Sequence, residues 1–422
     1  MIHENIVCPF CGCLCDDLEI TTERGKIVKV RNGCVISKSK YLNHERETLK
    51  FAMIRKNGEL LKVSIEKAIQ RASEILKNSD YPLIYGLSST ECEAQRKAIE
   101  LAELIGSTID STSSVCHGPT MIATQSIGAV RSTLGEIKNR ADLIIFWGCN
   151  PVEAHPRHHT RYSVLSKGMF VERKGRTIVA VDVRKTTSVN LADHFFLIKP
   201  NRDFEFLSII RSALKGYEIQ DFDSIPKDHI LDLVEKMKGC KFGVIFFGMG
   251  LTMSRGKHMN VDAALSLARD LNSFTKFSII PMRGHYNVTG AGSVLSWQTG
   301  YPHSVNFSLG YPIYNPGEFS AVDVLSREEA DALLVIASDP ASNFPFKASR
   351  HAAKIPTIVI DPKQTLSTLI AEVVIPSAVC GISAEGTAYR MDGVPLKLRK
   401  VIESEFPSDV EILERIIEKV RA

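Results

Sequence analysis

Five cysteines open the chain within VCPFCGCLCDD and NGC: Cys8, Cys11, Cys13, Cys15 and Cys34. Cys8, Cys11, Cys15 and Cys34 follow the spacing C-x2-C-x3-C-x18-C. Three thiolates on one tight loop, with a fourth returning from a distant turn, make a pocket for a 4Fe–4S cluster, which takes soft sulfur ligands. The CPFC knuckle also opens zinc ribbons, where two C-x2-C pairs grip one tetrahedral ion. Here no second pair follows, and Cys34 stands alone. Cys13 is the surplus thiol. It alternates with Cys11 and Cys15, which turns it away from the cluster, yet it stays an alternative to Cys15 as third ligand. A redox cluster at the head of a 422-residue chain makes an electron-transfer enzyme the leading expectation.

Other candidate chemistry sits where short apolar runs end in turns: WGCNP, DVRKTT, FGMG, ASDP and DPKQT. In the first, Gly148 lets the backbone turn, and Asn150-Pro151 fix an open loop with amide donors free. Asp182 ends the next run, where a carboxylate can accept hydrogen bonds from a nucleotide's sugar or base, and Arg184 can grip a phosphate. Gly248 and Gly250 follow another run. Asp339-Pro340 and Asp361 repeat the same logic. Any one alone is an ordinary strand-ending turn; together they suggest a large, phosphorylated, two-ended cofactor. None forms a G-x-G-x-x-G fingerprint or a Walker A loop, which disfavours ordinary NAD or ATP binding. WGCNP/ASDP and AVDVR/VIDPK read as two copies of one ligand-binding plan.

The elements that must position these residues alternate. Apolar runs at 82–87, 142–148, 177–183, 242–248, 277–281, 332–338 and 357–362 are separated by amphipathic stretches such as ECEAQRKAIELAELIG and VDAALSLARDLN. This is the pattern of parallel, doubly wound α/β sheets. Before them, LEITTERGKIVKVRNGC reads as two short strands about Arg24-Gly25 that bring Cys34 back to the first cysteines. The length implies two or three domains. Net charge is +4, from 52 Lys and Arg against 48 Asp and Glu, and no basic block or aromatic–basic stripe argues for nucleic acid. The other cysteines (Cys92, Cys116, Cys149, Cys240, Cys380) are scattered singly, unlike a secreted disulfide framework. With no leader and no apolar run near 18 residues, a cytoplasmic protein without direct membrane contact is expected.

Five segments carry a family resemblance across nearly the whole chain: VCPFCGCLCDD, DSTSSVCHGPT, FWGCNPVEAHPRHHTRYS, MRGHYNVTGAG and IPSAVCGISAEGTAYRMDG. The chain resembles the B subunits of tungsten- or molybdenum-dependent formylmethanofuran dehydrogenases, in the formate dehydrogenase/DMSO reductase group. The resemblance implies one 4Fe–4S cluster and two molybdopterin guanine dinucleotides chelating one W or Mo, with CO2 and formate interconverted there. It implies Cys116 as W/Mo ligand, His117 as a proton-transferring residue, and Arg283 facing the metal. Gly148, Asn150, Pro151, Asp182 and Arg184 would serve one dinucleotide. Gly248, Gly250, Asp339, Pro340 and Asp361 would serve parts of the same one or the other. Lys38 or Lys40 would lie between cluster and pterin, and His155, His158 and His159 would line the cofactor rather than bind another metal.

The expected organisation is a 4Fe–4S domain over 1–50, a discontinuous cofactor-binding α/β domain over 51–107 and 275–400, a second over 108–274, and a C-terminal helix over 401–422. The C-terminal β-barrel of single-chain formate dehydrogenases has no room here. The expected partners are therefore other subunits: a small β-barrel subunit, a metallohydrolase-like subunit receiving formate, and ferredoxin-type electron carriers. A related formyltransferase/hydrolase subunit lacks the cluster and metal ligands; this chain keeps them, which favours a dehydrogenase.

Overall fold

The computed structural model describes all 422 residues. The chain divides into two compact units, one of residues 1–115, 285–390 and 395–422, the other of residues 116–284 and 391–394. No helix is long and apolar enough to cross a membrane.

The first unit begins with an antiparallel sheet of Ile2–Ile6, Leu18–Glu23 and Lys26–Arg31. Arg24 (φ 48°) and Gly25 (φ 78°) are both left-handed, the conformation a tight two-residue hairpin requires. Ile2–Ile6 gave no strand signal because His3, Glu4 and Asn5 break its apolar alternation. Cys34 caps the helix Val35–Leu42, its Sγ accepting from the Ser37 N–H at 3.4 Å.

Beyond it lies a nine-stranded sheet whose parallel centre runs Thr108–Ser111, Pro82–Gly86, Ala332–Ile336, Thr357–Ile360, Val373–Ile375. Numbered along the chain, that order is 2-1-3-4-5, so the winding reverses between Pro82–Gly86 and Ala332–Ile336. Both faces are covered, as parallel sheets require. Ile84, Leu334 and Ile358 pack under Ile69, Ile99, Ile412 and Ile416 from three helices, while Leu83, Tyr85 and Val335 face the opposite layer. The helix Asp409–Arg421 is one of the three, held at its start by a Ser408/Glu411 capping box. The terminal helix is thus part of this unit's core.

The second unit holds a five-stranded parallel sheet in the order His194–Leu197, Thr177–Asp182, Leu143–Trp147, Phe242–Phe247, Lys276–Pro281. Along the chain this is 3-2-1-4-5, reversing between Leu143–Trp147 and Phe242–Phe247. Strand pairing sets the boundaries at 115/116 and 284/285 rather than 107/108 and 274/275. Thr108–Ser111 pairs with Pro82–Gly86, and Lys276–Pro281 pairs with Phe242–Phe247. In open α/β sheets ligands collect at such reversals, beyond the carboxyl ends of the strands. Each unit has one.

Gly86 marks the reversal in the first unit. It sits at φ +125°, and a Cβ there would fall 2.1 Å from the Ile336 carbonyl oxygen. Gly86→Ala is expected to cost about 2–6 kcal/mol through backbone strain and overpacking. A denaturant midpoint unchanged from the parent would contradict it.

Candidate redox and dinucleotide site

The cysteine loop folds on itself: Cys8 N–H donates to Cys15 O at 2.9 Å, and Leu14 N–H to Cys11 O at 3.1 Å. Cys8, Cys13 and Cys15 are buried, Cys11 and Cys34 partly so. Burial and the neighbouring Cys11 and Cys15 push the Cys8 thiol well up, while Ser37 opposes that shift. The Ser37 N–H meets the Cys34 Sγ. Cys13 hydrogen-bonds to Cys11, holding the Cys11 thiol down, with Lys40 adding to the effect. Lys40, rather than Lys38, faces both Cys11 and a cavity of about 810 Å³ that Phe10, Asp339, Asp361 and Lys363 also line.

That cavity opens at the first unit's reversal point, and its turn repeats the second unit's turn atom for atom. Asp339 Oδ1 accepts from Ser367 N–H (2.8 Å) and Oγ–H (2.6 Å). Asn150 Oδ1 accepts from Ser188 N–H (3.2 Å) and Oγ–H (2.6 Å). Ser367 Oγ accepts from Ala341 N–H, and Ser188 Oγ from Val152 N–H, each at 3.1 Å. The two capping residues share one backbone conformation, φ −124°, ψ 74° at Asn150 and φ −131°, ψ 71° at Asp339, each followed by proline. Asp182 Oδ1 accepts from the N–H groups of Val183 and Arg184, as Asp361 Oδ1 does from Lys363. Arg184 and Lys363 thus occupy matching positions, each two residues past its aspartate.

In the second unit the reversal is floored by glycine. Gly250 N–H donates to Gly148 O at 3.0 Å, and a Cβ on Gly250 would lie 2.7 Å from Gly148 Cα. His155 Nδ1 is buried without a hydrogen-bond partner. So are His158 Nε2 and His159 Nε2, whose Nδ1 atoms both meet Ser163 Oγ, at 3.0 and 3.4 Å. Buried polar atoms left unpaired in this way call for a partner outside the chain.

Cys116, His117 and Arg283 all belong to this unit. Cys116 is half-buried, and Thr252 Oγ1–H fixes its carbonyl at 2.8 Å. Burial pushes its thiol up to about 11, against the pull of the Arg283 guanidinium. His117 is fully buried at the start of the helix Gly118–Ile127. Its Nδ1 lies 3.1 Å from Thr120 Oγ1, and the Met282 backbone carbonyl also interacts with the ring. Burial, aided by Arg283 and His155, lowers its pKa to about 3, so the ring is neutral. Arg283 is 4% exposed; burial and Arg131 lower its pKa to about 9, which leaves it charged at neutral pH.

The chain matches the molybdopterin oxidoreductase family model over residues 49–276. Over its full length, and 99% of the relative's, it is 51% identical to the B-subunit of tungsten-containing formylmethanofuran dehydrogenase 2 of Methanocaldococcus jannaschii. The chain belongs to the family of formylmethanofuran dehydrogenase B subunits. Its fold is shared with a chain of the formyltransferase/hydrolase complex of Methylorubrum extorquens (TM-score 0.72, 23% identity, 88% of this chain and 98% of the other). It is also shared with acetylene hydratase of Pelobacter acetylenicus (TM-score 0.73, 13% identity, 99% and 69%). Membership in this B-subunit family makes the chain part of an oxidoreductase, with molybdopterin and W or Mo as cofactors. The second unit's glycine-floored reversal point and its unpaired buried nitrogens fit a molybdopterin cofactor, and the half-buried Cys116 thiol fits a soft metal.

Sequence reading of this B-subunit chain missed Thr252, Thr120, Ser188, Ser367 and Lys363. The two serines were in principle legible, since each follows its turn aspartate, Asp182 or Asp361, by six residues. Thr252 and Thr120 carry no such signal. Asp361 is buried, which raises its carboxyl to about 7, helped by Asp409 and Asp339. The folded chain therefore holds a proton there that the unfolded chain releases near 3.8. Stability falls as pH rises between those values. Asp361→Asn is expected to flatten that part of the dependence and to raise the thermal midpoint of the metal-free chain at pH 8. Parallel parent and variant curves from pH 4 to 8 would exclude Asp361 as the group.

Proposed function

We propose that this chain is the redox subunit of a formylmethanofuran dehydrogenase, interconverting CO2 and formate: CO2 plus two electrons and one proton gives formate. The reading is supported by one arrangement: Cys116, His117 and Arg283, from two distant stretches of sequence, lie in one unit, where the Arg283 charge opposes the rise of the Cys116 thiol and helps keep His117 neutral. Cys116 would hold a W or Mo centre together with two pterin dinucleotides, and that centre would supply the two-electron chemistry. Arg283 keeps its charge in a water-poor setting, where it binds formate's carboxylate and stabilises the charge growing on CO2 oxygens. His117, neutral and beside Cys116, accepts the proton released from formate and returns it in the opposite direction. Cys116, whose free thiol is hard to ionise, would serve as a thiolate ligand to that metal.

Cys8, Cys11, Cys34 and either Cys15 or Cys13 hold the 4Fe–4S cluster, and Lys40 bridges the space toward the dinucleotide cavity. Formate passes to a metallohydrolase-like subunit for condensation with methanofuran. A small β-barrel subunit covers the cofactors, and ferredoxin-type proteins deliver electrons. Ten cysteines, none in a disulfide, suit a reducing cytoplasm.

The formyltransferase/hydrolase neighbour supports a second reading, a non-redox scaffold. Metal analysis and EPR of the complex, purified without oxygen, separate the two. The proposal requires iron, W or Mo, and viologen-linked formate oxidation; a preparation lacking both metals favours the scaffold. Formate turnover without CO2-dependent formylation of methanofuran would instead indicate a formate dehydrogenase.

A further inference from the structure

We infer that His155 is a positioning residue for Arg283, tying the dinucleotide turn to the arginine that meets formate. The inference rests on the role given to Arg283 above. His155 closes the turn that begins at Pro151, its N–H donating to Pro151 O at 2.8 Å. Its ring is buried, and Nε2 lies 2.8 Å from the Arg283 carbonyl oxygen. A carbonyl only accepts, so Nε2 carries the proton. Arg283 N–H in turn donates to Pro281 O at 3.0 Å. The arginine's main chain is thus fixed on both sides, and one of those fixings comes from the cofactor turn.

The repeat in the first unit shows that the turn itself does not need an imidazole. Phe344 stands at the position matching His155, and its N–H donates to Pro340 O at 3.0 Å in the same way. Its ring packs edge-on against Tyr85, with centroids 4.8 Å apart. A bulky ring therefore satisfies this turn, and the donor nitrogen is confined to the copy that carries Arg283.

The test uses the intact complex with His155→Phe, which copies the other turn, and His155→Gln, whose amide can reach the same carbonyl. Metal and pterin content should match the parent in both. His155→Phe should raise the KM for formate about tenfold, the worth of one buried hydrogen bond, with a smaller loss in kcat. The formate concentration giving half the maximal shift in thermal midpoint should rise by the same factor. His155→Gln should return both values to within about threefold of the parent. A Phe variant with parental KM and half-shift overturns the inference. So does equal impairment of Phe and Gln, which would mean that only the ring matters. Loss of metal or pterin from the Phe variant alone would assign His155 to cofactor retention instead. A parent complex inert to formate would overturn the reading of Arg283, and this inference with it.

Discussion

Arg283→Ala should lower viologen-linked formate oxidation by about 10²–10³-fold, the usual effect of removing one preorganised donor from a developing negative charge. Metal and iron content should stay at the parental level, because the guanidinium is not a ligand. Arg283 is almost fully buried, and its charge survives because its lowered value of about 9 remains above neutral pH. Losing that charge also changes His117, since Arg283 helps keep the imidazole neutral. The alanine variant's His117 should therefore titrate at higher pH than the parent's, and the acid limb of the pH–rate profile should move up with it. Arg283→Lys keeps a positive charge without the planar fork, so it should recover only part of the loss. An Arg283→Ala complex with full metal content and parental turnover would remove this residue from the chemistry.

Cys116→Ala should abolish turnover. A thiolate is the soft ligand that Cys116 offers, and alanine has no side-chain donor to replace it. Iron should remain, because the cluster cysteines lie in the other unit. The expected signature is therefore selective: the cluster's EPR signal persists while the W or Mo signal changes or disappears. Cys116→Ser should fall between, since an alkoxide is a harder ligand. A fully active alanine variant would show that the metal is bound without this side chain.

Much of this was legible because it is local. The cysteine spacing, the Arg24-Gly25 hairpin and the turns Gly148–Pro151 and Asp339–Pro340 each depend on a few adjacent residues. The helix Asp409–Arg421 was readable from Ile412, Leu413, Ile416 and Ile417 at helical spacing, although its place in the first unit's core was not. Short strands were harder. His194–Leu197 and Thr108–Ser111 are four residues each, too short for a period to emerge, and they are strands because longer neighbours offer them hydrogen-bonding edges.

By itself the amino-acid order determined which chemical groups are present and how nearby ones are spaced: a thiol loop, two glycine- or aspartate-marked turns, and a Cys-His pair before a helix. Only the folded chain decided that Ser188 serves Asn150 as Ser367 serves Asp339, and that His155 meets the Arg283 carbonyl 128 positions away. Side-chain periodicity reports on the residues of one strand or helix. Which strands become neighbours is settled by burial of whole sheet faces across long stretches of chain, and that selection brings these distant partners within bonding distance.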